Sequence, residues 1–306
     1  MNILVTGGAG YVGTLLTEEL LKNGHTVYVL DNFMYGYESL LHFVDHQNLH
    51  VIQKDIRNLE KKDLAGYDII FHLAAISGAP ACDENPFSAQ AINTGATKRI
   101  VDHIKDSSQL LIYASTTSFY GKDNKDCDED SPIRVLSAYG KTKYEAEQAV
   151  MTRRDSVALR FATLFGNSPR MRNDLMVNDF LYRAINEKTI VIFESFSRRT
   201  FMHIRDAVRA YLFTLNNRDR MIGEIYNVGD ETLNLTKLDV AEKIKQYVDC
   251  EIILSKLSAS DKRNFNVSFT KIKRLGFSTR HNIDDGIKEM MKLFSYYRRY
   301  CPYKVI

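Results

Sequence analysis

A tyrosine and a lysine four residues apart could remove a proton from a hydroxyl group. Tyr139 and Lys143 have this spacing, and if residues 137–150 form a helix, both side chains share one helical face. Tyrosine titrates at about pH 10 and is a poor base at neutral pH, but a neighbouring ammonium favours the phenolate. We therefore predict that Tyr139 acts as a general base with Lys143 as its electrostatic partner.

Three glycines spaced three residues apart lie near the start of the chain, namely Gly7, Gly10 and Gly13. They follow a predicted strand at residues 3–5 and precede a predicted helix at residues 12–21. In such a unit the first glycine permits a tight turn, the second lets the backbone approach a pyrophosphate, and the third lets the helix pack closely. The first N–H groups of the helix then face the phosphates. The spacing predicts a dinucleotide site that includes Tyr11 and Val12.

One acidic residue indicates which dinucleotide is bound. Asp31 ends the second predicted strand, at residues 26–30. An acidic side chain at this position accepts hydrogen bonds from the adenosine ribose and repels a 2′-phosphate. Residues 31–53 contain no Lys or Arg that would attract that phosphate. We therefore expect NAD as the cofactor rather than NADP.

The first half of the chain alternates short apolar runs with helical patterns. The runs that read as strands are residues 3–5, 26–30, 50–53, 69–73, 110–114 and 157–161. They are rich in Val, Ile and Leu without polar alternation, which is typical of parallel strands buried on both faces. This alternation predicts an α/β fold with a doubly wound parallel sheet of the Rossmann type, which binds ligands at the carboxyl ends of its strands.

After Gly166 the alternation breaks down, and we predict a smaller mixed α/β lobe that binds the substrate. Its expected elements are a loop at 167–172, helices at 175–186 and 237–247, and a strand at 224–228. The predicted domain limits are 1–166 for the NAD-binding domain, with 201–230 returning to it, and 167–200 together with 231–306 for the substrate-binding lobe.

Composition excludes several classes of function. The chain has 306 residues and a net charge of +3, and its basic residues are not concentrated in a way that suggests a nucleic-acid partner. It has no run of about 18 apolar residues, so no membrane span is expected. The cysteines are scattered without a C-x-x-C pair, which favours a reducing compartment and argues against a zinc site. No targeting segment precedes the first predicted strand, and we expect a cytoplasmic protein without a metal.

The chain resembles the extended short-chain dehydrogenase/reductase family, and within it the NAD-dependent nucleotide-sugar epimerase and dehydratase branch. The resemblance rests on residues 6–13, 30–32, 55–56, 72–75, Asn93, 115–121, 139–143 and 199–206. It implies further cofactor contacts from Asn32, Asp55, Ile56, Leu73, Ala74, Ala75 and Asn93, in addition to Tyr139 and Lys143. It also assigns the hydroxyl-bearing catalytic position to Thr116, at the end of a predicted strand.

The departures from the family pattern narrow the expected reaction. Family dehydratases carry Asp-Glu after the catalytic threonine, where this chain has Thr117 and Ser118. The 3,5-epimerases use a cysteine near this position, and it is absent. The resemblance therefore implies hydride transfer at the sugar 4-position, by a 4-epimerase or 4-dehydrogenase that serves surface-polysaccharide sugar biosynthesis. The alternatives are a nucleotide-sugar 4-ketoreductase and a non-catalytic NAD-binding sensor or scaffold.

The expected substrate is a nucleotide-diphosphate sugar, whose charges are best met by arginine. The resemblance places Arg199 at the phosphate-binding position, and the substrate candidates are Thr116, Arg172, Leu175, Arg199 and Arg263, with Arg170 as a further cation. An ordinary surface position is the alternative for each arginine. Residues 78–82 and 168–175 are similar to a bacterial subgroup that includes GDP-heptose 4-dehydrogenases of capsule biosynthesis. Family members commonly pair through helices near 93–105 and 137–150, so we expect a homodimer.

Overall fold

The computed structural model describes residues 1–104, 108–257 and 263–297, so the end of the predicted lobe, 298–306, lies outside the described residues. The strands are β1 (Asn2–Thr6), β2 (Thr26–Asp31), β3 (Leu49–Gln53), β4 (Ile69–His72), β5 (Leu110–Thr116), β6 (Lys122–Cys127), β7 (Ser156–Phe161), β8 (Thr163–Phe165), β9 (Thr189–Ile192), β10 (Arg198–His203), β11 (Ile225–Val228), β12 (Asn234–Thr236), β13 (Glu251–Leu254) and β14 (Asn264–Val267).

The helices connect these strands, and a π-helical segment, Gln90–Ala96, leads into the fourth of them. The α-helices are α1 (Tyr11–Lys22), α2 (Ala79–Glu84), α3 (Pro86–Ala89), α4 (Thr97–Ile104), α5 (Ala138–Val150), α6 (Met176–Asn186), α7 (Ile204–Asn216), α8 (Arg218–Met221), α9 (Lys237–Lys245), α10 (Thr270–Arg274) and α11 (Ile283–Phe294). Within the described ranges, no helix combines the length and the apolar character needed to cross a membrane.

Seven parallel strands form the central sheet, in the order β3-β2-β1-β4-β5-β7-β11. The strand order reverses between β1 and β4, and in an open α/β sheet such a reversal leaves a crevice outside the carboxyl ends of the strands. The predicted doubly wound parallel sheet is confirmed. Each strand predicted in the first half is present, with ends that differ from the prediction by no more than a few residues.

Helices cover both faces of this sheet, as the unbroken apolar runs require. In β1, Ile3 and Val5 point into the core shared with α1 and α7, whereas Leu4 points into the core shared with α4 and α5. Successive side chains of a strand point to opposite faces, so in a strand covered on both faces the side chains at odd and at even positions are both buried.

The remaining strands form three small sheets. These are β12-β10-β8, β13-β9 and β14-β6. A separate apolar core lies among α6, α9 and α11 and includes Ile190 and Phe201. Within residues 201–230, β11 joins the central sheet and α7 packs on it, while β14 from the end of the chain pairs with β6 from the first half. The domain limits given above stay a prediction.

A buried ion pair joins α5 to the central sheet. Arg160 on β7 donates to Glu147 on α5 through Nε at 3.0 Å and through Nη2 at 2.7 Å, and the side chains are 3% and 0% exposed. Ser115 Oγ on β5 donates to the same carboxylate at 2.6 Å, and Arg160 Nη1 donates to the Tyr120 hydroxyl at 2.8 Å. The position of α5 is therefore set by polar contacts that are buried away from water.

Removal of one partner tests how strongly this pair stabilises the fold. Arg160→Met leaves the Glu147 carboxylate buried without its cation, so we expect the free energy of unfolding to fall by about 3–5 kcal/mol, measured by urea denaturation. The control is Lys22→Met, which removes an exposed contact with Glu18 and should cost about 1 kcal/mol or less. Equal losses for the two variants would contradict this account.

Candidate active site

A cavity of about 570 Å³ lies at the carboxyl ends of β1, β4 and β5. It is lined by nearly all of the sequence-predicted site residues: Gly7, Gly10, Tyr11, Val12, Gly13, Asp31, Asn32, Asp55, Ile56, Leu73, Ala74, Ala75, Thr116, Tyr139, Lys143, Arg172, Leu175, Arg199 and Arg263. The structure thus brings residues from both ends of the chain to one site.

The glycine turn between β1 and α1 has the shape that a phosphate site needs. Gly7 has a φ of +72°, and a Cβ there would lie 2.8 Å from the backbone of Ala74. A Cβ on Gly13 would collide with the carbonyl oxygen of Gly7. Helix α1 begins after Gly10 without a side-chain cap, so its first N–H groups are available to an anion. The turn fits a dinucleotide pyrophosphate.

Asp31 both shapes the glycine turn and faces the cavity. Its carboxylate accepts from the backbone N–H of Ala9 at 3.1 Å and from that of Phe33 at 2.9 Å, while burial raises its pKa above the ordinary value. The fold brings a cation to this end of the cavity, because Arg170 stacks on the ring of Tyr35 with 4.2 Å between the guanidinium carbon and the ring centroid. Residues 31–53 contain no Lys or Arg, but Arg170, from a distant part of the chain, acts on the charge of Asp31.

Asp55 follows β3 and lines the cavity. Its side chain is kept in the ionised carboxylate form by Arg57. Arg57 donates to it through Nε at 3.0 Å and through Nη2 at 2.8 Å, and these hydrogen bonds lower the pKa of Asp55 to about 2. Asn32 Nδ2 lies 3.4 Å from Asp55 Oδ2. The loops that follow β2 and β3 are thus joined beside the cavity.

Asn93 is the one predicted cofactor contact that does not line the cavity. It is 1% exposed. Its side-chain Oδ1 accepts from the backbone N–H of Ile76 at 2.8 Å, and its Nδ2 donates to the backbone carbonyl of the same residue at 3.0 Å. It also donates to Thr142 Oγ1 on α5 at 3.1 Å. The side chain therefore fixes the loop after β4 against α5, and its contact with the cofactor stays a prediction.

The three predicted catalytic residues come from two neighbouring elements. Thr116 ends β5, and its Oγ1 accepts from the backbone N–H of Ser118 at 3.1 Å, which leaves its own proton for a ligand. Tyr139 and Lys143 lie one turn apart on α5 and both face the cavity. Ser137 begins this helix, since its Oγ accepts from the backbone N–H of Gly140 at 3.1 Å.

The Lys143 side chain is 3% exposed, which makes its charge costly to keep. Burial lowers the pKa of Lys143 to about 7, although the Glu147 carboxylate one turn later raises it in part. The ammonium is therefore present below pH 7 and is lost as the pH rises through that value. A cofactor or substrate that brings negative charge to the cavity would favour the ammonium.

Residues 166–174, here called the strap, pass from β8 to α6 beside the glycine turn. The Tyr11 hydroxyl at the start of α1 donates to the carbonyl of Gly166 at 2.7 Å. Ser168 Oγ donates to the Tyr11 carbonyl at 2.7 Å. Tyr11 thus lies at the glycine turn and also anchors the segment that leads into α6.

The far end of the strap reaches the loop after β4. Arg172 Nη1 donates to Ser77 Oγ at 3.1 Å, and its Nη2 donates to the Ser77 carbonyl at 3.3 Å. The same guanidinium pairs with Asp174 through Nη2 at 2.5 Å. Arg172, a predicted substrate contact, therefore also holds two walls of the cavity together.

Arg199 and Arg263 lie together at the cavity wall formed by β10 and β14. Arg199 is 3% exposed, and its Nη1 donates to the carbonyl oxygens of Arg198, at 2.7 Å, and of Arg263. Arg263 Nη1 donates to Ser118 Oγ at 2.7 Å. Because the backbone N–H of Ser118 donates to Thr116 Oγ1, Arg263 brings a positive charge to the end of the cavity where Thr116 lies.

A family model for the NAD dependent epimerase/dehydratase family matches residues 3–229. The chain belongs to this family. It is 34% identical over 245 residues to the Uncharacterized UDP-glucose epimerase YtcB of Bacillus subtilis, covering 75% of this chain and 77% of that protein. It is 29% identical over 305 residues to the low-salt glycan biosynthesis protein Agl12 of Haloferax volcanii, covering 94% and 96%.

A solved member of this kind has nearly the same backbone. The UDP-glucuronic acid 4-epimerase of Bacillus cereus, in complex with UDP-glucuronic acid and NAD, superposes with a TM-score of 0.88 at 25% identity over 96% of this chain and 99% of that one. The chain is thus an NAD-dependent enzyme of the epimerase/dehydratase family, which confirms the predicted family and cofactor. The similarity to GDP-heptose 4-dehydrogenases stays a prediction.

Several residues that contact the arginines and the lysine in and around this cavity were not assigned that role from the sequence. They are Tyr35, Ser77, Ser118, Glu147 and Tyr113, which contact Arg170, Arg172, Arg263, Arg160 and Lys143 respectively. Most of these partners are far apart in the chain and have no common spacing. Glu147 carried one usable signal, because it follows Lys143 by one helical turn. Over the described ranges, no group of three or more His, Cys, Asp or Glu side chains could hold a metal ion.

The glycine turn predicts a simple test of cofactor binding. In Gly13→Ala the new methyl group collides with the carbonyl of Gly7, so the turn must shift, and we expect NAD affinity to fall about 10- to 100-fold by calorimetry on NAD-free protein. The control is Gly95→Ala in the π-helical segment, where the nearest atom to a new Cβ is 3.6 Å away. Unchanged NAD affinity in Gly13→Ala would rule out this site.

Proposed function

We propose that the protein oxidises and reduces the hydroxyl group at the 4-position of a nucleotide-diphosphate sugar, as a 4-epimerase or 4-dehydrogenase. The observation that carries this proposal is the position of Thr116, Tyr139 and Lys143 in the same cavity as the glycine turn. NAD, when bound, supplies a hydride acceptor and donor. The glycine turn, Asp31 and Asp55 would hold it.

The proton transfers are assigned to the protein. Tyr139 takes the proton of the substrate hydroxyl through its phenolic oxygen, and it returns the proton when the ketone is reduced. Thr116 donates a hydrogen bond that orients the reacting oxygen. The Lys143 ammonium favours the phenolate of Tyr139 by electrostatic attraction. Each role needs the group to reach the cavity, and all three line it.

The second lobe supplies the charges for the diphosphate. Arg199 is the proposed clamp, with Arg172 and Arg263 on adjacent walls of the cavity and Leu175 at the start of α6 beside them. Arg263 lies against Ser118, so its charge also reaches the sugar end of the substrate. Relatives that bind or act on UDP-sugars support a nucleotide sugar as the substrate.

Dehydration is not part of this proposal. The two positions after Thr116 hold Thr117 and Ser118, and Ser118 Oγ accepts from Arg263. A hydroxyl in contact with a guanidinium cannot take the place of a carboxylic acid in the removal of water. Oxidation and reduction at one carbon, by contrast, need one base and a hydroxyl that orients the substrate.

A panel of nucleotide sugars tests the substrate and the direction of the reaction. GDP-, UDP-, dTDP- and CDP-sugars are incubated with the NAD-loaded protein, and products are followed by NMR and NADH by fluorescence. A 4-epimer identifies an epimerase, and a 4-keto sugar with NADH identifies a 4-dehydrogenase. A protein that acts only on 4-keto sugars with NADH would be the alternative 4-ketoreductase. No product from any of these substrates would refute the proposal.

Tyr139→Phe separates an enzyme from a non-catalytic NAD-binding scaffold. The change removes the proposed base but keeps the ring, so we expect turnover to fall about 100- to 10,000-fold while NAD affinity stays within a few-fold. Tyr144→Phe is the matched control, because Tyr144 lies on the same helix and packs against Phe119 outside the cavity wall. Equal activity of the two variants would exclude Tyr139 as the base.

We also propose that the enzyme is a cytoplasmic homodimer that pairs through α4 and α5. The described cysteines Cys82, Cys127 and Cys250 form no disulfide, which is consistent with a reducing compartment. Helix α3 packs against α5 and exposes Phe87, which is 87% accessible. Phe87 therefore lies beside the proposed interface, where a change of its side chain tests whether the two helices pair.

Phe87→Asp tests this interface. A carboxylate placed among apolar contacts opposes association, so we expect the mass measured by light scattering to shift from two chains toward one. Phe196→Asp serves as the control, because Phe196 is 74% exposed but follows β9 in the second lobe. A single-chain mass for the unmodified protein, or no difference between the variants, would contradict the proposed dimer.

A further inference from the structure

The ammonium of Lys143 lies over the ring of Tyr113, with 4.1 Å from Nζ to the ring centroid. Tyr113 is on β5, three residues before Thr116, and is 1% exposed. A cation over the face of an aromatic ring is attracted by the ring quadrupole, and the attraction is strongest where water is excluded. Both groups are almost completely buried, so this contact has the conditions in which it contributes most.

Besides the ring of Tyr113, few groups can stabilise the charged ammonium form of Lys143. Among the described residues, those that interact electrostatically with Lys143 are Glu147 on its own helix, Cys82 on α2 and His72 on β4. Tyr139 lies one turn earlier on the same helix. Burial raises the pKa of the Cys82 thiol to about 11. Burial also lowers the pKa of His72 to about 3. Both groups are therefore neutral at physiological pH.

Glu147 is the remaining charged neighbour in this set, and its carboxylate already has other partners. It accepts two charge-assisted hydrogen bonds from Arg160 and one from Ser115. Most of its charge is therefore balanced by the guanidinium of Arg160. The ring of Tyr113 has no such competing cation in the described contacts.

We propose that Tyr113 is a positioning residue whose ring face holds the Lys143 ammonium in place and in its charged form. The inference rests on the proposed roles of Tyr139 and Lys143. The ring lies on the strand below the catalytic helix, so it can act on Lys143 without contacting substrate or cofactor. The catalytic cation is thus supported from β5 by a π system and from α5 by a carboxylate.

The hydroxyl of Tyr113 is not needed for this role. It is buried and has no hydrogen-bond partner among the described residues, and a buried polar group without a partner destabilises the fold. Tyr113→Phe keeps the ring face and removes the hydroxyl. We expect this variant to have the activity and pH profile of the unmodified enzyme and an equal or higher melting temperature.

The decisive variant is Tyr113→pentafluorophenylalanine, introduced by suppression of a stop codon. Fluorination nearly preserves the shape of the ring but reverses its quadrupole, so the ring repels a cation instead of attracting it. The charged form of Lys143 is then less favoured, and its pKa falls. The enzyme needs the ammonium, which is lost as pH rises, so we expect the alkaline decline of kcat/KM to begin about one pH unit lower. At the acidic end of the profile the rates should match those of Tyr113→Phe.

Lys143→Met completes the comparison. Without the ammonium, fluorination of the ring should have no further effect, because the two changes act through one contact. If the fluorinated enzyme has the same pH profile as Tyr113→Phe, the inference is wrong. A uniform loss at every pH would also overturn it, since that outcome indicates a packing role. If Tyr139→Phe and Lys143→Met are both fully active, the proposed function fails instead. Tyr113→Leu, which removes the ring altogether, should shift the profile in the same direction as fluorination.

Discussion

The buried pair between Glu147 and Arg160 is the contact on which the geometry of the site depends. Helix α5 carries Tyr139 and Lys143 on the face that it turns toward the sheet, so its rotation and depth decide whether they reach the cavity. The apolar contacts of Ala146 and Val150 attach the helix to the sheet but are not directional. The ion pair and the hydrogen bond from Ser115 are directional, and they set α5 against the two strands next to the cavity.

The same arrangement creates an electrostatic conflict at Lys143. A helix packed this closely excludes water from Lys143, which disfavours the ammonium that the proposed chemistry needs. Glu147 cannot resolve the conflict alone, because Arg160 shares its carboxylate. The fold places an aromatic face below the ammonium rather than a second carboxylate. A second buried negative charge would need a partner of its own, whereas a ring needs none.

The features that were predictable from the sequence are those whose signal is local. The glycine turn, the strand–helix alternation and the helix of Tyr139 each depend on residues within about one turn or one strand of each other. The contacts of Arg170 with Tyr35 and of Arg263 with Ser118 depend on how distant segments meet. Neither pair has a spacing or a composition that sets it apart from surface residues, so only the assembled fold shows them.

The strap joins the glycine turn to the cavity wall formed by α6. Tyr11 belongs to the glycine turn by sequence, yet its hydroxyl binds the carbonyl of Gly166 and its own carbonyl accepts from Ser168. Arg172 at the other end grips Ser77 in the loop after β4. A displacement of the glycine turn would therefore move the strap, which carries Arg170 and Arg172. The glycine turn, the strap and the loop after β4 are thus joined by hydrogen bonds around one cavity.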